Sequence, residues 1–231
     1  MPTTYALIPG AGGRAWYWHR ILPLLSARGD EAIAIDLPAE DDTADLIAYA
    51  DVVSDAVADV TGPLVLVAQS MGAFTAPIVA ARLLSAGSTP PMILVNPMVP
   101  AVSETPGGWW EVSGQQAARI AYFQRIGLPR SDFDPIEDFF HDVPEPVRTE
   151  ALSQPEPQQS DAPFEKPWPL DHWPDVPTRV IVGSDDRLFP LEFQRRLVRD
   201  RLGLDVDVMP GGHLMALSQP RELVDRLTLG D

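Results

Sequence analysis

A serine, a histidine and two adjacent aspartates are the residues of this chain whose surroundings suit nucleophilic chemistry. Ser70 closes the apolar run Leu64-Val65-Leu66-Val67-Ala68 and Gln69, and is followed by Met71-Gly72 and an alanine-rich stretch, Ala73–Leu84. A buried strand, a sharp turn and a helix form the context in which small-x-Ser-x-Gly makes a nucleophile elbow. Ala68 and Gly72 fill the two small positions, needed because the turn brings strand and helix backbones together. Such a turn strains Ser70, lifts its Oγ above the sheet and aims the Met71 N–H at the same point, where the helix dipole favours developing negative charge. A serine hydroxyl needs a base to attack a carbonyl. His213 fits that role because an imidazole changes charge near neutrality, and Pro210-Gly211-Gly212 before it permits a tight loop. An acid must then hold the other ring nitrogen. Asp185 and Asp186, in Ser184-Asp185-Asp186-Arg187-Leu188-Phe189-Pro190, compete for this place. For His19, His141 and His172 a surface or satisfied core position is expected.

The elements that must position these groups follow from periodicity. Tyr5–Pro9, Ala32–Asp36, Leu64–Ala68, Met92–Asn96, Arg179–Gly183 and Asp205–Met209 read as strands. Helical spacing appears in Trp16–Arg28 (interrupted by Pro23, so kinked or late to begin), Asp42–Asp59, Ala73–Leu84, Glu192–Leu202 and Ser218–Leu227, the last with Ser218 as N-cap. Strand and helix alternate, which predicts an α/β fold with a parallel sheet covered on both faces. Between 98 and 175 the alternation stops. About half of the 25 prolines and four of the six tryptophans (Trp109, Trp110, Trp168 and Trp173) fall there. Gly114–Ile126, Pro135–Phe140 and Glu145–Ala151 read as short helices, and Pro155–Pro169 as too proline-rich for regular structure. The expected organisation is a core of residues 1–97 and 176–231 with a cap, 98–175, inserted over the strands' C-terminal ends. Ser70, Asp185 or Asp186, and His213 each follow a different predicted strand, a stronger signal than any one motif.

Composition narrows the function classes. The 231 residues suit one domain with an insertion, and 45% hydrophobic residues suffice for one core. A formal charge of −16 argues against nucleic-acid partners and anionic membrane surfaces. No cysteine is present, which removes disulfides, thiolate catalysis and cysteine metal sites. No apolar run reaches the length of a membrane span, and Met1-Pro2-Thr3-Thr4 lacks a secretory pattern, so a cytoplasmic location is expected. Pro9-Gly10-Ala11-Gly12-Gly13 follows the first strand and has neither the dinucleotide-binding spacing nor a phosphate-loop lysine. It is better read as the second half of an oxyanion hole, with the Ala11 N–H beside that of Met71.

Taken together, Ile8-Pro9-Gly10-Ala11-Gly12-Gly13-Arg14-Ala15-Trp16-Tyr17-Trp18, Asp36-Leu37-Pro38, Ala68-Gln69-Ser70-Met71-Gly72, Pro190–Arg195 and Gly212-His213-Leu214 resemble the plant methylesterase and hydroxynitrile lyase group of α/β-hydrolases. The likeness covers residues 5–96 and 177–228 and is weak across the insertion. It implies a parallel sheet of about six strands, a helical cap, no cofactor and no metal. It also implies action on small esters or cyanohydrins. By position it assigns Ser70, Asp186 and His213 as triad, with Asp186 third after Gly183 and fourth before Pro190, and Ala11 and Met71 as oxyanion donors. The chain departs from the group in carrying Pro9 before Gly10 where histidine is common, and Ala68 as first small residue of the elbow. Lyase members carry threonine at the place of Gly10 and lysine at the place of Leu214, so both residues favour hydrolysis. The expectation is a carboxylesterase for a small, partly apolar ester. A lyase on the same triad, or a non-catalytic ligand receptor of this fold, is the alternative.

Overall fold

The computed structural model describes residues 1–228; the final three lie outside that range. Its centre is a six-stranded, wholly parallel sheet in the order β2-β1-β3-β4-β5-β6. The strands are β1 (Thr4–Ile8), β2 (Glu31–Ala34), β3 (Leu64–Gln69), β4 (Met92–Val95), β5 (Thr178–Gly183) and β6 (Asp207–Met209). β1 and β4 are buried at every residue, and β3 at all but its first. Strands covered on both faces need continuous apolar runs rather than alternation, and these sequences supply them. Alternate residues face opposite layers. Ala6, Ile8, Leu66, Ala68, Leu94 and Val182 pack with α2 (Leu46–Ala56), α3 (Gly72–Ser85) and α9 (Leu191–Leu202). Tyr5, Leu7, Val65, Val67, Ile93 and Ile181 pack on the other side with α1 (Leu22–Ser26) and α11 (Pro220–Leu227). Strand order reverses at β1, between β2 and β3. Chain leaving neighbouring strands diverges there, and the crevice above their C-terminal ends is where α/β sheets place a site.

Several helix boundaries differ from those the sequence predicts. A 3-10 turn at Ala15–Trp18 precedes α1, which starts late because Pro23 belongs in a first turn. α2 is shorter than expected because Asp45 accepts hydrogen bonds from the N–H groups of Ile47 and Ala48 and fixes its start. Ser218 does not cap the terminal helix. It ends a separate short helix, α10 (Met215–Ser218), and Pro220 then opens α11 from Gln219 without a side-chain cap. Between β4 and β5 lie α4 (Pro106–Val112), α5 (Gln115–Arg125), α6 (Pro135–Phe139), α7 (Glu145–Ser153) and α8 (Ala162–Glu165). α4 escapes a propensity reading because Gly107 and Gly108 occupy its first turn. Thr105 caps it at Gly108 N, 2.9 Å away, and a Cβ on Gly107 would lie 3.0 Å from Phe164 O of α8, so close packing requires the glycine. α8 is a single turn with proline in its first turn, inside the stretch expected to lack regular structure.

Three tryptophans of this segment brace it internally and against α3 and β5. Trp109 and Trp168 are buried, and their indole N–H groups donate to Val99 O (2.9 Å) and Phe74 O (3.0 Å). Trp173 donates to Thr178 Oγ1 on β5. A buried ion pair, Arg119 with Asp138 (Nε to Oδ1 2.6 Å), joins α5 to α6 and thereby holds Phe139, one residue on.

Candidate active site

Ser70 stands between β3 and α3 with φ 51°, a left-handed conformation that costs a non-glycine residue energy and persists only where the surroundings over-determine it. Here the Ser70 N–H donates to Val95 O (3.0 Å), and Ser70 O accepts from Ala73 N and Met98 N. The close approach behind the turn is measurable: a Cβ on Gly72 would lie 2.7 Å from Pro9 O.

His213 follows β6 on a loop held from several directions. Its Nε2 is 3.1 Å from Ser70 Oγ and its Nδ1 is 2.8 Å from Asp186 Oδ2. Asp186 is fully buried, and its second oxygen accepts from the N–H groups of Leu188 and Phe189, both at 2.8 Å. Those two bonds fix the carboxylate, and the carboxylate fixes the imidazole with its Nδ1 proton facing away from Ser70. Asp185 instead accepts from Ser184 Oγ at 2.7 Å and lies toward solvent. Phe189 stands edge-on to the His213 ring (4.9 Å between centroids) and Phe139 lies tilted over it at 5.3 Å. The loop after β1 packs against the serine: a Cβ on Gly10 would lie 2.9 Å from Ser70 Cβ. Ala11 follows Gly10 and Met71 follows Ser70 in these two turns, and no hydrogen bond among the described residues engages either N–H. The structure therefore brings Ser70, His213 and Asp186 into one chain of hydrogen bonds and leaves Ala11 and Met71 as unengaged donors nearby. Among the described residues no group of histidines and carboxylates is arranged to hold a metal ion.

Three residues that the sequence reading did not single out hold this arrangement. Asn96, fully buried at the end of β4 with φ 43°, donates through Nδ2 to Gly212 O (3.0 Å) and His213 O (3.2 Å) and accepts from Gly183 N (2.8 Å). One carboxamide thus ties β4, β5 and the histidine loop. A polar residue ending an all-apolar strand was its only sequence signal. Asp142, between α6 and α7, accepts from Gly212 N at 2.6 Å. Gln159, in the proline-rich stretch, accepts from Gly12 N at 2.9 Å and donates to the Tyr49 hydroxyl.

Two surface cavities lie by the loops of the site, and Ser70 lines neither. One, of about 250 Å³, lies beside the histidine loop and is lined by Tyr122, His141, Asp142, Asp185, Arg187 and Gly211. The other, of about 510 Å³, lies beyond the β1 loop against Arg14, Trp16 and Asp36–Asp41. Burial disfavours the charged form of His141 and lowers its pKa, while the neighbouring Asp142 opposes this. Burial likewise raises the Tyr17 phenol well above its ordinary value, so the hydroxyl that accepts from Ala216 N stays neutral.

A model of the alpha/beta hydrolase family matches residues 6–226, and the chain belongs to that family. Among solved structures, polyneuridine aldehyde esterase is similar at 19% identity over the full length of both chains, with a TM-score of 0.79. A pyrethroid hydrolase from Sphingobium faniae JZ-2 is 21% identical over 98% of this chain and 96% of its own, with a TM-score of 0.75. The methylesterase MES16 from Arabidopsis is 18% identical over 97% of each chain, with a TM-score of 0.71. The fold therefore resembles that of the plant methylesterases, as the sequence motifs implied. No curated protein sequence matches the chain.

Proposed function

We propose that this protein is a carboxylic ester hydrolase that forms an acyl-enzyme on Ser70. The observation that carries the reading is the continuous relay Ser70 Oγ–His213 Nε2 and His213 Nδ1–Asp186 Oδ2, at 3.1 and 2.8 Å, on a serine held in a left-handed turn. In the forward step Ser70 Oγ bonds to the ester carbonyl carbon as its proton passes to His213 Nε2. The carbonyl oxygen becomes an oxyanion, and the N–H groups of Ala11 and Met71 are its donors. Asp186 stabilises the imidazolium. Collapse breaks the ester C–O bond, and the departing alcohol takes the proton from Nε2. A water then gives its proton to Nε2 as its oxygen bonds to the acyl carbon; the acyl carbon–Oγ bond breaks, Oγ takes the proton from Nε2, and the acid leaves with Ser70 restored.

Phe139 and Phe189 flank the imidazole, which favours an ester with an apolar part on the leaving-group side. The names of the similar structures, an aldehyde esterase, a pyrethroid hydrolase and a methylesterase, support ester substrates for this chain also. Cyanohydrin cleavage is the second reading, and it requires a cation to receive cyanide. Leu214 follows His213, and the chain's one lysine, Lys166, has an exposed side chain paired with Asp45 at 2.7 Å. The test is turnover of aryl and p-nitrophenyl esters of graded acyl length by wild type and Ser70→Ala. The expected result is hydrolysis by wild type and a fall in kcat of roughly 10⁴ or more in the variant with its fold intact. Cyanide release from mandelonitrile that requires Ser70, without any esterase activity, would reverse the assignment. Ligand binding without turnover of any kind would make the chain a receptor.

A further inference from the structure

Gln69 precedes the serine and is 4% exposed, yet its side chain does not point into the apolar layers. Its Nε2 lies 3.1 Å from His213 Nε2, the nitrogen that also stands 3.1 Å from Ser70 Oγ. The carboxamide oxygen lies over Gly10: a Cβ built there would lie 2.4 Å from Oε1, closer than van der Waals contact allows. The amide thus spans the gap between the β1 loop and the imidazole, against the reacting atoms. With Nδ1 carrying the proton that faces Asp186, Nε2 has one lone pair, and Ser70 and Gln69 both approach it.

We propose that Gln69 is a second partner of the reacting nitrogen, donating an N–H to the neutral His213 ring and so setting the ease with which that ring takes the serine proton. This rests on the reading of Ser70 and His213 as nucleophile and base. A donor can bind only the unprotonated nitrogen, so it favours the free base and opposes protonation. It also steadies the ring toward Ser70 when no substrate is bound. Gly10 belongs to the same device, because the space it leaves is the space the carboxamide uses.

The charged and titratable groups around His213 and its loop are Asp186, Asp185 and Arg187 after β5, Asp142 and His141 from the segment between β4 and β5, and Tyr17 at Ala216. All of them are unchanged in a Gln69 variant, so a difference between profiles isolates Gln69. Gln69→Leu keeps the bulk and removes the donor, and Gln69→Glu keeps the shape and replaces the donor by an acceptor.

Two readouts are taken on the same proteins. One is the acid limb of kcat/KM for an aryl ester. The other is the titration of the His213 ring signals by NMR of histidine-labelled protein without substrate, assigned by their loss in His213→Asn. The expected midpoint rises by about 0.5–1 pH unit in Gln69→Leu, the worth of one hydrogen bond, and by roughly 1 unit or more in Gln69→Glu. Gly10→Ala, which displaces the carboxamide, reproduces part of the Leu shift. Midpoints that coincide with wild type overturn the proposal, and so does a downward shift in Gln69→Leu, which would mean that the amide oxygen faces the ring. If no ester turns over, the hydrolase reading fails while the NMR titration still decides the role of Gln69. If turnover is normal and the titration is unmoved, the Gln69 proposal fails alone.

Discussion

Two glycine loops flank the serine, and they are held differently. Each offers one backbone N–H to a side chain from the segment between β4 and β5: Gly12 to Gln159 and Gly212 to Asp142. The histidine loop has a second anchor inside the core, since Asn96 binds the carbonyls of Gly212 and His213 and the N–H of Gly183. Among the described residues, the hydrogen bonds of the β1 loop are its own Gly13 N to Gly10 O turn and the Leu37 N to Gly13 O bond, besides that to Gln159. The lesson is a division of labour. The position of His213 is built into the sheet, whereas the shape of the loop carrying Ala11 leans on the segment between β4 and β5. With Ala11 as the proposed oxyanion donor, disturbing that segment is expected to slow acyl transfer before it disturbs the hydrogen bonds among Ser70, His213 and Asp186.

Of the substitutions that test this comparison of the two loops, removing the core anchor is expected to have the largest effect. Asn96→Ala leaves the buried Gly183 N–H without its acceptor, frees two carbonyls and puts alanine at φ 43°, so a loss of about 2–4 kcal/mol and a fall in kcat of roughly a hundredfold are expected. Denaturant melts with kinetics at saturating ester check both. Wild-type values would show that the core does not hold the histidine loop. Next comes Gln159→Leu, which should lower kcat by about tenfold, with less than about 1 kcal/mol of stability lost and the fluorophosphonate reaction rate of Ser70 falling in parallel. If KM alone changes, Gln159 serves binding and the division proposed above is wrong. Asp142→Asn keeps one acceptor oxygen for Gly212 N while removing the charge and turning the other oxygen into an amide donor, so a change of no more than a few-fold is expected in the same assay.

The smallest effect is a pH dependence of stability from the same edge of the insertion. Burial lowers the His141 pKa, so the folded protein resists the proton that the unfolded chain takes up near ~6.5. Below that pH the unfolded state binds more protons, and stability falls with acid down toward the lowered folded value. Melting curves across this window should be flatter for His141→Gln than for wild type. Equal slopes would remove His141 from the account of acid sensitivity.

Much of the sheet was legible because buried parallel strands need unbroken apolar runs, and Leu64–Ala68 and Met92–Val95 have little other reading. The meeting of Ser70, Asp186 and His213 was legible for the same reason: parallel strands bring their C-terminal ends to one edge, so residues far apart in sequence converge. Helix starts were harder to read. Asp45 rather than Asp42 begins α2, and Pro220 overrides Ser218, because several capping residues stood close together and only tertiary packing chose among them. Between β4 and β5, Gly107 sits in a helix that propensity disfavours, since its close packing on α8 outweighs the cost, and α8 is a single turn too short for periodicity to show. Asn96, Asp142, Gln159 and Gln69 were illegible as a group. Each is a common polar residue whose meaning lies in a partner far away in the chain.

The central claim, that Ser70 is an activated nucleophile, is tested most directly by labelling with a fluorophosphonate and locating the adduct by peptide mass spectrometry. The account predicts one adduct per chain on Ser70, formed far more slowly in His213→Asn and absent from Ser70→Ala. An adduct on any other residue, with Ser70→Ala still hydrolysing esters, would contradict it.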